Sequence, residues 1–118
     1  MKYLCLVYFD GTVLDKMSDT EKIAFDNESL TYDEKLQRSG HFIAAEALES
    51  VKSAVTVRMR NGKISTTDGP FTETKEQLGG FILIEARDLN DAIQVAAKIP
   101  LARFGGIEVR PIWELEKK

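Results

Sequence analysis

The chain has one cysteine, Cys5, one histidine, His41, no surplus of basic residues and no apolar run long enough to cross a membrane. Each scarcity excludes something. A single cysteine rules out any disulfide within the chain. One Cys and one His, far apart in sequence, leave an intrinsic zinc or copper site without its usual set of ligands, and the carboxylates open to magnesium or manganese, Asp68, Glu73 and Glu76, read first as solvated loop charges, so no metal is expected. With 16 Lys+Arg against 19 Asp+Glu the net charge is −3. Nothing here neutralises a phosphate backbone or an anionic bilayer, so neither nucleic acid nor membrane is expected as a partner. Residues 3–9 are apolar and follow Lys2, but the run is short, meets Asp10 and lacks a small-residue cleavage site. It therefore reads as a strand rather than a signal peptide, and the expected compartment is the cytoplasm. The sequon Asn27-Glu28-Ser29 then carries no weight. No G-x-S-x-G nucleophile elbow occurs. Gly79-Gly80 precedes a strand instead of opening a helix, so neither a phosphate loop nor a dinucleotide fingerprint is present and no cofactor is expected.

What is present fits one domain over residues 1–118, with 43% hydrophobic and 30% charged residues, long enough to bury a core without metal or disulfide. Residues 3–9 are apolar on both alternations, which needs cover on both faces and predicts a central strand. Asp10-Gly11 breaks it. Ser18-Asp19-Thr20-Glu21 is a capping box, and Ile23, Leu30 and Leu36, with Phe25 and Tyr32 alongside, predict a helix that Gly40 ends. Residues 54–60 alternate Val55, Val57 and Met59 on one face, Asn61-Gly62 favours a type I′ turn, and residues 63–67 return. Phe81-Ile82-Leu83-Ile84 is a second doubly apolar strand. Asp88 caps a helix carrying Leu89, Ala92, Ile93 and Ala96, which Pro100 stops, and residues 107–110 form a last strand whose end Pro111 confines to an edge.

Strand, helix, strand, strand, helix, strand is the split βαβ, ferredoxin-like α+β arrangement, with two helices on one face of a mainly antiparallel sheet. The other face has no helix to cover it. Because the central strands are apolar on both sides, that face is expected to pack sheet to sheet in a two-fold homodimer.

Residues 68–80 are longer than a connection between adjacent strands needs, which marks them for attention. Gly69 before Pro70 is driven extended, and Pro70 fixes its own φ, so Phe71 leaves in a set direction. Gly79-Gly80 admits unusual dihedrals and close backbone approach. Asp68, Glu73 and Glu76 place carboxylates near Lys75, and carboxylates in a partly apolar cleft can act as acid or base. The plain structural alternative makes 73–77 a solvated helical turn capped by Asp68, with Phe71 as a core plug.

Asp68-Gly69-Pro70-Phe71, followed by Glu73-Thr74-Lys75-Glu76-Gln77-Leu78-Gly79-Gly80 and Phe81, resembles the signature of the YCII-related proteins of the DGPF type. The resemblance continues through Asp88-Leu89, Ala92-Ile93, Ile99-Pro100, Ala102-Arg103 and residues 107–112, and takes in Met1-Lys2-Tyr3. It implies a ferredoxin-like protomer in a dimeric α+β barrel, within a superfamily of small isomerases, monooxygenases and lyases acting on small substrates. Some DGPF proteins are encoded near extracytoplasmic-function sigma factors. Better-described relatives pair a His on the first helix with the Asp of the motif. Asp68 matches that Asp, but the His position falls near Ser29 and the helix holds no His; His41 lies beyond Gly40 and does not inherit the role. A partner for Asp68 must come from Tyr8, Glu46, Arg58, Glu73 or Lys75.

His41 itself reads as a residue closing the helix end. Cys5, inside an apolar strand, reads as packing. Trp113, Phe81 and Phe104 read as core or dimer contacts. The resulting expectation is a small-molecule pocket beside residues 68–75, with Asp68 as acid or base, Tyr8, Glu46, Phe71 and Glu73 in contact with substrate, and Lys75 or Arg58 steadying negative charge in a cofactor-free elimination or isomerisation. The alternative is a non-catalytic binding or regulatory module in which the same segment orders an interface.

Overall fold

The computed structural model describes residues 1–116. The chain runs β1 (Lys2–Phe9), α1 (Thr12–Asp15), α2 (Asp19–Arg38), β2 (Phe42–Ala47), β3 (Val55–Arg60), β4 (Lys63–Asp68), β5 (Gln77–Glu85), α3 (Leu89–Ala97) and β6 (Gly105–Pro111), with short 3₁₀ turns at Val51–Ser53 and Pro100–Arg103. β1 and β5 are central, as their double apolar alternation requires, in a sheet of order β2-β5-β1-β6 with antiparallel neighbours throughout. Pro111 ends the edge strand β6. This is the ferredoxin-like α+β arrangement.

Period-two geometry divides β1 cleanly. Tyr3, Cys5 and Val7 are buried against the helices together with Ile82, Ile84, Leu36, Ala92, Val95 and Ile99. Leu4, Leu6 and Tyr8 point to the other face, where they stand opposite Leu83, Phe81 and Leu78 and are half-buried. Burial pushes the Cys5 thiol up to about 11, so it is an inert packing group.

Both helices start at the caps that the sequence offers. Ser18 accepts from the Glu21 amide at 3.1 Å and Glu21 accepts from the Ser18 amide at 3.1 Å. Asp88 accepts from the Asp91 amide at 2.9 Å. The helices are fastened to one another by the Tyr32 hydroxyl, which donates to the Val95 carbonyl at 2.6 Å.

Three expectations need correction. First, the second strand of the sheet is Phe42–Ala47, and residues 54–68 form a separate two-stranded hairpin outside it. Ala44, Ala45 and Ala47 give that strand little β-propensity, whereas the hairpin advertises itself with β-branched alternation and an Asn-Gly turn. The turn itself is as expected, with φ of 51° at Asn61 and 73° at Gly62. Second, α2 turns Phe25, Ser29, Tyr32 and Leu36 inward, while Ile23 and Leu30 are mostly exposed. Those inward residues follow the i, i+4, i+7, i+11 spacing of one helical face, which Ile23 and Leu30 do not share. Third, Gly79 and Gly80 do not have positive φ. They serve close approach instead: a Cβ on Gly79 would collide with the Phe9 ring, and one on Gly80 would come within 2.9 Å of the Glu46 carbonyl oxygen.

Candidate functional site

The hairpin leaves the sheet after β2 and returns through residues 69–76 into β5, so both connections sit at the end of the sheet where Tyr8 emerges. Asp68 pairs with Val55 at the hairpin base. The following turn depends on Gly69, whose φ of 113° is closed to L side chains. The Gly69 amide donates to the Ala54 carbonyl at 2.7 Å, and the Thr56 hydroxyl donates to the Gly69 carbonyl at 3.0 Å. Beyond it residues 71–76 form bends rather than a helical turn. The Gln77 side-chain amide organises them, donating to the Thr72 and Thr74 carbonyls at 2.8 Å each.

Between this loop, the end of the sheet and the segment after β2 lies an open cavity of about 730 Å³, walled by Tyr8, Leu78, Val51, Ala54, Pro70 and Phe71, with Ser50, Ser53, Thr72, Thr74 and Gln77 contributing polar groups. That volume is in the range of small-ligand sites. Mostly apolar walls with scattered hydroxyl and amide groups suit a small, partly polar ring.

The expected residues divide around this space. Tyr8 and Phe71 line it. Phe71 is 76% exposed and so is no core plug; the Arg58 guanidinium lies over its ring at 5.1 Å, a cation–π contact that positions the ring. Arg58 and Asp68 project from opposite faces of the hairpin, since Arg58 pairs with Ser65 and alternates with Val55 and Val57. Arg58 therefore does not neutralise Asp68 within one chain. Lys75 faces Asp10, whose carboxyl is held low mainly by the Thr12 amide and hydroxyl and in smaller part by the Lys75 charge. Glu46 is exposed on the uncovered sheet face opposite Phe81, and Asp68 and Glu73 are exposed and outside the cavity lining. Asp68 caps nothing among the side-chain hydrogen bonds of the described residues. Residues 47–53 carry no local sequence signal of a place beside the cavity, and for Gln77 the one cue is an amide in a polar loop.

His41 lies at the other end of the sheet. Its Nδ1 is 2.7 Å from the Ser39 hydroxyl oxygen and its Nε2 is 3.1 Å from Asp91 Oδ2. The Ser39 hydroxyl also donates to the Leu36 carbonyl at 3.1 Å. His41 thus ties the end of α2 to the start of α3 rather than serving the cavity. Asp91 is pulled down to about 2, first by the Arg87 backbone amide and then by His41. Of the aromatic candidates, Phe104 packs against Phe25 at 5.8 Å between centroids, Phe81 lies on the uncovered sheet face, and Trp113 is exposed. No group of three or more His, Cys, Asp or Glu is arranged to hold a metal among the described residues.

A four-stranded ferredoxin-like sheet with both helices on one side and a loop-walled cavity at its end defines a class of small α+β domain. The chain belongs to the YCII-related domain family, whose match spans residues 1–116. It is 33% identical over 114 residues to an uncharacterized protein of Rhizobium meliloti (strain 1021), covering 95% of this chain and 92% of that one. Its fold is similar to that of 5-chloro-2-hydroxyhydroquinone dehydrochlorinase from Burkholderia phenoliruptrix AC1100, solved in complex with 2,5-dihydroxybenzoquinone. The TM-score is 0.55 at 17% identity, with 97% of this chain and 94% of that one covered. Among the described residues no helix is long and apolar enough to cross a membrane.

Proposed function

We propose that the protein is a cytoplasmic homodimer, packed through its uncovered sheet face, that binds a small hydroxylated ring in the cavity beside Phe71 and acts on it by cofactor-free acid–base chemistry of the lyase or isomerase kind. The cavity carries this reading: its apolar walls, Tyr8 among them, and the loop held by Gln77 form an open concave site at the DGPF segment. The fold it shares with a dehydrochlorinase supports the lyase option. In such an elimination the carboxylate takes a proton from the ring, the leaving group departs with the electrons of its bond as the new double bond forms, and the carboxyl then releases the proton to water, so that the net loss is one molecule of acid. Asp68 is the proposed acid–base group, with Tyr8 and Phe71 holding the ring.

The exposed position of Asp68 favours one rival, a binding module without turnover. Calorimetric titration with 2,5-dihydroxybenzoquinone, followed by an assay for halide release from chlorinated hydroxyhydroquinones, separates the two. Binding lost in Tyr8→Ala, with turnover lost in Asp68→Asn while binding persists, is the expected pattern. Binding without halide release leaves the module reading, and no binding by the wild type removes this substrate class.

A further inference from the structure

The hairpin is the part of the chain that its own fold leaves unaccounted for. Its strands pair Val55 with Asp68, Val57 with Thr66 and Met59 with Ile64, so these side chains share one face. On that face Val55, Val57, Met59 and Ile64 are 56%, 64%, 57% and 71% exposed. A lone two-stranded hairpin is marginal in water, and one with a bare apolar face gains its stability from whatever covers it. The chain does not fold back to do so. Its extents are 48 × 48 × 18 Å, and the short dimension is about that of one sheet with one layer of helices. The radius of gyration is 16.4 Å, against about 13.5 Å for a compact domain of this length. The accessible surface is 8807 Å², about 2,400 Å² more than a compact monomer of this mass exposes. An excess of that order matches what each subunit of an intimate dimer buries, and exceeds the roughly 800 Å² per partner of a standard interface.

We infer that β3–β4 is an arm laid on a second copy of this chain, its face of Val55, Val57, Met59 and Ile64 packing against the partner's uncovered sheet face, so that Asp68, at the base of the arm on the same face, enters the interface. The inference rests on the sheet-to-sheet dimer proposed above. A second copy is the occupant because the same chain offers two unpartnered apolar surfaces, the arm and the face of Leu4, Leu6, Phe81 and Leu83, and one two-fold axis satisfies both at once. Asp68 lies on the apolar face at the base of the arm, so closure takes its carboxylate out of open solvent, which is the environment an acid–base carboxyl requires.

The test compares the oligomeric state of the wild type with that of Val57→Lys/Met59→Lys and of a control on the opposite hairpin face, Ser65→Lys/Thr67→Lys. Sedimentation at micromolar concentration gives the state, and far-UV circular dichroism checks that each variant keeps its fold. The expected result is a wild-type dimer, weakening of association by about tenfold or more in the apolar-face variant, and no change in the control. A wild-type monomer overturns both the dimer and the arm. A dimer equally tight in the apolar-face variant keeps sheet-to-sheet packing and overturns the arm. Asp68→Lys tests delivery into the interface: a charge of that size taken into it is expected to weaken association by about tenfold or more, and association as tight as in the wild type overturns it.

Discussion

The central strands are apolar on both faces and the hairpin on one, and their apolar faces meet opposite fates. In β1 and β5 the inward residues Tyr3, Cys5, Val7, Ile82 and Ile84 are enclosed by α2 and α3. In β3 and β4 the apolar residues Val55, Val57, Met59 and Ile64 are more than half exposed. Alternation therefore fixes which side chains share a face, but a face is buried only if the topology brings another layer to it. Here the helices are committed to one side of one sheet. The cavity follows the same division, because the sheet contributes Tyr8 and Leu78 to its wall and the segment after the hairpin contributes Pro70 and Phe71.

That contrast can be broken by mutation. The largest effect belongs to the fully buried Ile84: Ile84→Ala is expected to destabilise the chain by about 2–5 kcal/mol in urea unfolding, whereas Val57→Ala, at concentrations where the protein is monomeric, changes it by less than about 0.5 kcal/mol. Equal losses would erase the distinction between the two regions. Next comes Gly69→Ala, which forces an L residue into φ of 113° at a cost of about 1–3 kcal/mol. Hydrogen exchange should quicken across residues 54–76 while the amides of β1 and β5 stay protected, and a uniform acceleration would show that the hairpin and the sheet open together.

Acid sharpens the comparison further. Because Asp91 is held at about 2, chiefly by the Arg87 amide, its contribution is complete above the ordinary carboxyl value of about 4 and is lost as pH falls from there toward 2. Asp91→Asn should therefore flatten the fall of Tm between pH 5 and pH 2, and an unchanged slope would place the acid sensitivity elsewhere. The smallest effect has the opposite sign. Burial raises the Asp33 carboxyl, so its charge opposes folding at neutral pH and the penalty is relieved as pH falls through that raised value. Asp33→Asn should raise Tm slightly at pH 7 and make no difference in acid; a lower Tm at pH 7 would mean that the charged carboxylate stabilises the fold.

Much of the fold was legible because strong local rules agreed. The capping box at Ser18, the Asp88 cap, the Asn-Gly turn and the doubly apolar runs all placed elements where the structure has them. β2 was missed because its alanines pair with β5 through backbone groups that any residue supplies, leaving almost no side-chain pattern to read. Of the residues expected at a site, Tyr8 and Phe71 line the open cavity beside the DGPF segment, and Glu46, Arg58, Asp68, Glu73 and Lys75 do not. Gln77 was passed over because its importance lies in which carbonyls its amide meets, and those are set by the path of the loop.

By itself the sequence determined the composition of each strand face, the helix starts, the tight turn and the position of the Asp-Gly-Pro-Phe segment between two strands, since each depends on neighbours within a few residues along the chain. Only the tertiary structure decided which strand pairs join the sheet, that the hairpin stands apart, that Arg58 and Asp68 point away from one another, and that His41 serves α3 instead of the cavity. Those outcomes depend on contacts between residues far apart in sequence, and long-range packing chooses among local patterns that are equally satisfied on their own.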